Sequence, residues 1–339
     1  MLWCKINCYN GGRIMKKVRI AILGYGVIGK GVFKICLEKE EIEVIKIFDY
    51  KKNFDKQYVS LFTDNLEDIM NDNNIDIVVE VLGGYDFAKK ACFLTLSKHK
   101  HLVTANKEVV ANDIDRLTKM AKDNRVSFCY EASVGGAIPI IKNLKELTLV
   151  NKIHRIIGIL NGTTNYILSR INEGMSFDEA LKLAQEKGFA EKDPTADLEG
   201  YDMMRKIAIL SDIAWNTKIN MNDIKHTPLN HIDKYKIKKN IKNNQTIKYV
   251  CEAFKDNDKI LISVGLRTFN NQEVLCNIND EYNGVIVETI PADKFIFIGK
   301  GAGSLPTAFA IVSDIYDIIN QRVLDTYDNL NTYIINEVE

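Results

Sequence analysis

Between Val18 and Tyr130 the chain alternates short apolar runs rich in β-branched residues with longer stretches in which apolar positions recur every three or four residues. Val18–Leu23, Glu43–Phe48, Ile75–Glu80, His101–Thr104 and Val126–Tyr130 have the length and composition of buried strands, and the periodic stretches running to about Leu37 and Met120 read as helices. Strand and helix in alternation predict an α/β class with a doubly wound parallel sheet. After Pro139 the grammar changes. A helix to about Leu147, a strand from Ile153 to Ile159 and a helix to Ile171 are followed by a helix begun at Ser176, with Phe177, Ala180, Leu181 and Ala184 on one face. Ile247–Phe254, Lys259–Leu266, Gly284–Ile290 and Lys294–Ile298 then alternate as antiparallel strands, before a last helix from Ala308 to Ile319. The Asn- and Lys-rich stretch 216–244 between them reads as a solvated connection.

These patterns predict a dinucleotide-binding domain over residues 15–148, completed by a C-terminal helix 305–325, and an α+β substrate and dimerisation domain over 149–304. Residues 1–14 read as an extension, because Met15-Lys-Lys-Val-Arg-Ile has the look of a natural start. A length of 339 residues agrees with about two domains. Lys and Arg number 45, and so do Asp and Glu, so no net field draws the chain to nucleic acid or to an anionic membrane. With no signal peptide at the start and no apolar run of ~20 residues, the expectation is a cytoplasmic protein acting on a small molecule. Its seven cysteines are odd in number, scattered and without Cys-x-x-Cys spacing, as expected of reduced, buried thiols.

The first strand leads at once into Gly24-Tyr25-Gly26-Val27-Ile28-Gly29 and a helix. In this Rossmann-type arrangement the first glycine permits a tight turn, the second lets a pyrophosphate approach the backbone, and the third lets helix and strand pack closely, with the helix N-terminus facing the phosphates. The next strand ends in Asp49, placed to take the ribose hydroxyls. Asp49 favours NAD, while Lys51 and Lys52 offset its charge and leave NADP open. Gly83-Gly84 and Thr104-Ala105-Asn106-Lys107 follow two further strands at the same carboxyl edge, where ligands of such sheets bind. Lys107 there is either a ligand-holding cation or a solvated helix start.

In the second domain Gly162-Thr163-Thr164 opens a helix with a permissive glycine and hydroxyls, a combination suited to a carboxylate and equally to an ordinary N-cap. Gly188 to Lys206 forms a charged loop running into a helix. On it Asp202 and Lys206 are four apart and share a face, as a surface ion pair or half of an active site. Asp193, Asp197 and Glu199 are expected to cap that helix.

Together these stretches resemble homoserine dehydrogenase from about residue 17 to 322. The motifs are Gly-Tyr-Gly-Val-Ile-Gly (24–29), Val-Thr-Ala-Asn-Lys (103–107), Glu-Ala-Ser-Val-Gly-Gly-Ala-Ile-Pro (131–139), Gly-Ile-Leu-Asn-Gly-Thr-Thr-Asn-Tyr (158–166), the loop 188–206, and Gly-Ala-Gly-Ser-Leu-Pro-Thr-Ala (301–308), all in the family's order. The resemblance implies reversible reduction of L-aspartate 4-semialdehyde to L-homoserine with NADH or NADPH, on the route to threonine, methionine and isoleucine, by a homodimer. It implies Lys206 as the proton-transferring group, Glu191 and Asp202 as substrate-binding carboxylates beside Gly162 and Thr163, and Lys107 as a second active-site lysine. Gly83, Thr104, Gly188 and Gly303 are implied at the nicotinamide nucleotide, and a sodium ion on the main-chain carbonyls of Glu131, Val134, Gly136 and Ile138.

Three departures stand out. Phe189 replaces a common tyrosine and removes a hydroxyl, and Gly136-Ala137 replaces a commoner Gly-Gly. The chain also stops at Glu339, so the expectation is a short form without threonine feedback through an appended regulatory domain. Two other readings stand beside this one. Aspartate-semialdehyde dehydrogenase needs a thiolate, and Cys129, the one cysteine at a strand end near the cofactor, points inward by its pattern. A non-catalytic dinucleotide sensor would have no use for Lys206 and Glu191, both present.

Overall fold

The computed structural model describes residues 17–50, 56–229 and 245–323. The chain divides into two compact units at Ser133/Val134 and again at Ala302/Gly303. In the first, β1 (Val18–Leu23), β2 (Ile42–Phe48), β3 (Phe62–Thr63), β4 (Ile77–Glu80), β5 (His101–Thr104) and β6 (Phe128–Cys129) form one sheet in the order β3-β2-β1-β4-β5-β6. Every pairing is parallel, and α1 (Val27–Leu37), α2 (Glu67–Met70), α3 (Asp86–Ser97) and α4 (Lys107–Asn124) lie between the strands in sequence. Because side chains alternate along a strand, β1 and β4 feed two cores. Ile20, Ile22, Ile77 and Val79 pack with Phe33 of α1 and with Ile311 and Ile315 of the C-terminal helix, Ser304–Ile319. Ala21, Leu23 and Val78 pack on the other side with Ile69, Met70 and Ala91. This is the doubly wound sheet expected from the alternating pattern.

The second unit contains α5 (Ile140–Val150), β7 (Lys152–Ile159), α6 (Gly162–Asn172), α7 (Phe177–Glu186), α8 (Thr195–Leu198), α9 (Tyr201–Trp215), β8 (Lys225–His226), β9 (Gln245–Asp256), β10 (Lys259–Asn270), β11 (Tyr282–Ile290) and β12 (Asp293–Lys300). Its sheet runs β12-β11-β7-β9-β10-β8, antiparallel throughout except that the short β8 pairs parallel to β10. Helices α6 and α9 pack against β9. Ile157, Ile159, Val250 and Phe269 form a core with Leu275, Cys276 and Ile278. There Lys248 is buried, its Nζ donating to Ile278 O at 2.6 Å, Asn279 Oδ1 at 2.8 Å and Asn165 Oδ1 at 3.3 Å, and burial pulls its ammonium down to about 8. Three acceptors make the buried charge tolerable and hold the 277–279 loop to the sheet.

The structure differs from the sequence pattern in three places. The division between units falls before α5 and not after it, because this helix packs on β7 and α9. The supposedly solvated stretch from 216 is packed as far as 229: Ile219, Ile224 and Leu229 are buried, and Lys225–His226 adds an edge strand. Few apolar residues are spaced widely there, so no period reveals them. Residues 1–14, Lys51, Lys52 and 230–244 lie outside the described residues. Cys36, Cys92, Cys129, Cys251 and Cys276 are free and buried, and no helix among the described residues is long and apolar enough to cross a membrane.

The tightest point in the first unit is the turn between β1 and α1. A methyl group on Gly29 would lie 2.0 Å from the Gly24 carbonyl oxygen, so no side chain fits. Gly29→Ala is therefore expected to destabilise the protein by about 1–3 kcal/mol, read as a lower midpoint in denaturant.

Candidate active site

In the first unit the N-terminal turn of α1 carries the glycine motif. Gly24 has φ +102°, and Gly26, the N-cap of α1, has no atom within 4 Å of where a side chain would stand. That open backbone and the helix N-terminus suit a pyrophosphate. Asp49, at the end of β2, accepts the Tyr25 N–H through Oδ2 at 2.7 Å, so the loop itself holds the carboxylate that faces a ribose in this fold. The C-terminal helix, labelled α10, starts beside it: its N-cap is Gly303, and the Ser304 hydroxyl donates to Val27 O at 2.8 Å. Two helix N-termini thus lie side by side. Gly31 permits this, because a methyl there would meet Ser304 Oγ at 2.9 Å. Further along the edge, Asn106 caps α4 by accepting the Val109 N–H at 3.1 Å, and Lys107 is the first residue of that helix, half-buried. Gly83 is exposed with open space around it.

In the second unit the charged loop and helix form a buried network. Lys206 lies on α9, one turn after Asp202, and its side chain is 9% exposed against 4% for Asp202. Its Nζ donates to Leu160 O at 2.6 Å and to Asp202 Oδ2 at 2.7 Å. Asn161, next to Leu160, uses every part of its side chain: Nδ2 donates to Asp202 Oδ2 at 2.9 Å and Asp197 Oδ1 at 2.7 Å, while Oδ1 caps α6 by accepting the Thr164 N–H at 2.8 Å. An ammonium has three hydrogens, and two are committed here. Neither partner is dispensable at this burial, so the pair is not a surface ion pair.

The sequence-derived residues therefore fall into place unevenly. Asp202 and Lys206 meet. Glu191 stays apart: it is exposed on the loop, and its carboxylate has no partner among the described residues. Gly188 follows α7 with φ +75°, and the Thr163 hydroxyl is spent on Phe189 O at 2.6 Å, holding that loop to α6. The Phe189 ring lies 4.9 Å from the Tyr166 ring, so the residue standing for a tyrosine packs on an aromatic neighbour. Gly162 is required for a different reason, since a methyl group there would approach Glu281 O at 2.9 Å. The capping role expected of the three acids is corrected. Gly200 stands at the N-cap of α9; Asp193 accepts the Thr195 N–H at 3.1 Å ahead of the short α8, whose N-cap is Pro194, Asp197 belongs to the Asn161 network, and Glu199 is the C-cap residue of α8. Asn161 was missed as a site residue. Its signal was present, an asparagine directly before a helix-opening Gly-Thr-Thr, but its second task depends on residues 36 and 41 positions away. Around 131–138, Gly135 and Gly136 both have positive φ, and the Ile138 carbonyl accepts the Ile140 N–H at 2.8 Å.

A parallel sheet in this strand order, with a glycine turn and a strand-end acid at its carboxyl edge, defines a dinucleotide-binding α/β protein, and the second unit holds a buried, hydrogen-bonded lysine. A model of the homoserine dehydrogenase family matches residues 139–316, and one of that family's NAD-binding domain matches residues 24–131. The homoserine dehydrogenase of Bacillus subtilis is 34% identical over 331 residues, covering 93% of this chain and 76% of the relative. A crystal structure of a homoserine dehydrogenase from Thiobacillus denitrificans superposes with TM-score 0.88 at 30% identity, over 95% of this chain and 80% of that one. A hyperthermophilic archaeal homoserine dehydrogenase in complex with NADPH gives TM-score 0.77 at 25% identity, over 92% of this chain and 100% of that one. The chain belongs to the homoserine dehydrogenase family, whose members are NAD(P)-dependent oxidoreductases.

Removing the Asn161 side chain uncaps α6 and leaves the buried Asp202 and the half-buried Asp197 each short of a donor. Asn161→Ala is expected to lower stability by about 2–4 kcal/mol, the sum of a lost cap and a charged hydrogen bond. Thermal unfolding of the variant beside the parent measures it.

Proposed function

We propose that the protein catalyses the reversible NAD(P)H-dependent reduction of L-aspartate 4-semialdehyde to L-homoserine, a step toward threonine, methionine and isoleucine. The observation that carries the reading is Lys206: an almost wholly buried ammonium with two of its three hydrogens fixed and the third without a partner among the described residues. When bound, the reduced nicotinamide supplies hydride to the aldehyde carbon, and negative charge grows on the aldehyde oxygen. Lys206 Nζ, aimed by Leu160 O and Asp202, stabilises that charge and gives it a proton; in the oxidative direction the neutral amine takes the hydroxyl proton back. Asn161 holds Asp202 in register through both states. Glu191, with its free carboxylate, and Asp202 are assigned to the substrate ammonium. The first turn of α6 is assigned to the substrate carboxylate through the main-chain N–H groups of Gly162 and Thr163, the Thr163 hydroxyl being engaged.

The nucleotide is assigned to Gly24–Gly29, Asp49, Gly83, Thr104, Lys107, Gly188 and Gly303. Asp49, fixed by the Tyr25 N–H, disfavours a 2′-phosphate, whereas the archaeal relative was solved with NADPH and Lys51 and Lys52 follow Asp49 in sequence. Both coenzymes therefore belong to the proposed reaction. A sodium ion on the carbonyls of Glu131, Val134, Gly136 and Ile138 is supported only by the turned backbone at Gly135 and Gly136. A homodimer is supported by β12, an edge strand of its sheet with Ile296 and Ile298 exposed. Cys129 is buried in β6, which disfavours the thiolate chemistry of aspartate-semialdehyde dehydrogenase.

Homoserine oxidation followed with NAD and NADP side by side tests the reaction; no turnover with either would return the protein to the class of nucleotide-binding sensors. Lys206→Ala is expected to lower kcat by ~10²-fold or more while leaving nucleotide affinity nearly intact, and an unchanged kcat removes Lys206 from the mechanism. Asp49→Ser is expected to shift the kcat/KM ratio toward NADP by about tenfold, the scale of one like-charge contact.

A further inference from the structure

Glu80 is a carboxyl group that the reaction leaves unused. It ends β4, is 0% exposed, and both of its oxygens accept hydrogen bonds. Oε1 accepts the Leu82 N–H at 2.8 Å; Oε2 accepts the Thr104 hydroxyl and, at 3.8 Å, the Cys92 thiol. Thr104 Oγ1 in turn accepts the Asn106 N–H at 3.0 Å, and Asn106 Nδ2 donates to Gly84 O at 2.8 Å. The bonds close a ring from Glu80 through the 82–84 turn to Asn106, Thr104 and back. That ring joins two turns at the carboxyl edge of the sheet, one bearing Gly83 and the other Thr104 and Lys107.

Both oxygens face donors: the Leu82 N–H on Oε1 is fixed by the backbone, and a proton on Oε2 makes the Thr104 hydroxyl or the Cys92 thiol turn away from it. Among the described residues the neighbouring elements bring no cation to offset the charge: β1 pairs Leu23 with Glu80, β5 pairs Thr104, α3 brings Cys92, and Asp113 of α4 acts on that same thiol. Burial accordingly pushes the carboxyl up to about 7, with hydrogen bonding from Thr104, Leu82, Asn106 and Cys92 pulling the other way.

We propose that Glu80 is a positioning residue, its ionised carboxylate latching the 81–84 and 104–107 turns in the geometry that receives the nucleotide. The proposal rests on the nucleotide role assigned above to Gly83, Thr104 and Lys107. It has a signature that a merely structural carboxyl lacks. A folded-state value of about 7 against an ordinary 4.5 means that this group's contribution to stability is fully present below 4.5 and is lost as pH rises through about 7. Nucleotide affinity moves in the opposite direction, strengthening as the latch ionises.

The test is the Kd for NADH, whose phosphodiesters do not titrate in this range, measured by coenzyme fluorescence from pH 6 to 8.5 without amino-acid substrate. In the parent protein Kd is expected to tighten several-fold as pH rises through about 7. In Glu80→Gln it is expected to be about tenfold weaker at pH 8 and flat with pH, while the variant melts no lower than the parent at that pH. A variant with the parent's affinity and pH profile overturns the proposal, as does one that melts lower with unchanged Kd. If the variant does not fold, hydrogen exchange on the parent decides: protection of the Leu82 and Asn106 amides, corrected for intrinsic rates, is expected to fall between pH 8 and 6, and constant protection overturns the latch. Normal homoserine turnover with a flat parent Kd sinks the latch alone, whereas pH-dependent NADH binding without turnover sinks only the proposed reaction.

Discussion

A lysine ammonium taken out of water is tolerable only where acceptors surround it, and Lys206 sets that demand for the second unit. Four elements answer it. The end of β7 contributes the Leu160 carbonyl, α9 contributes Asp202 one turn earlier, and Asn161, capping α6, ties Asp202 to Asp197 on α8. The network is tight because each member is held by another: a buried charge that loses a single partner leaves an uncompensated one, at about 3–5 kcal/mol. A group held so firmly has one direction left in which to act. That is the property a proton-transfer site needs, and it follows from burial before any substrate is considered.

The first unit handles negative charge in two ways at the same sheet edge. Asp49 and Glu80 both end strands, both accept a main-chain N–H from the turn that follows β1 or β4, and both face the region of the glycine turns. Asp49 is half-buried, whereas Glu80 is fully enclosed and spends its oxygens on the protein. One acid therefore lies part-exposed at the edge, and the other ties two turns of the protein together. The N-termini of α1 and α10, brought together by the Ser304 hydroxyl and the absent side chain of Gly31, supply the opposite polarity.

Much of this was legible in one dimension. The five apolar runs became parallel strands and the four alternating runs near the C-terminus became antiparallel ones, because period and β-branching are local properties. Gly24 to Gly29 and Asp49 were legible for the same reason, their task being set by neighbours within one βαβ unit. What escaped were features whose partners are distant. Leu229 is buried although its surroundings are polar, and Asn161 serves Asp197 and Asp202 from across the unit. Asp197, expected to cap a helix, is redirected by the same bond, and α5 joins β7 and α9 and not the sheet it follows.

The sequence by itself determined the classes of element, the glycine turn with its acid, the balance of charge and, through six ordered motifs, the family. It also placed Asp202 and Lys206 on one helical face, since a four-residue spacing needs nothing beyond helix geometry. Only the tertiary structure decided that this pair is buried, that Leu160 and Asn161 complete it, that Glu191 stands apart with its carboxylate unpartnered among the described residues, and that Glu80 closes a ring between two turns. Burial and satisfaction of charge depend on atoms far away along the chain, which no local pattern records.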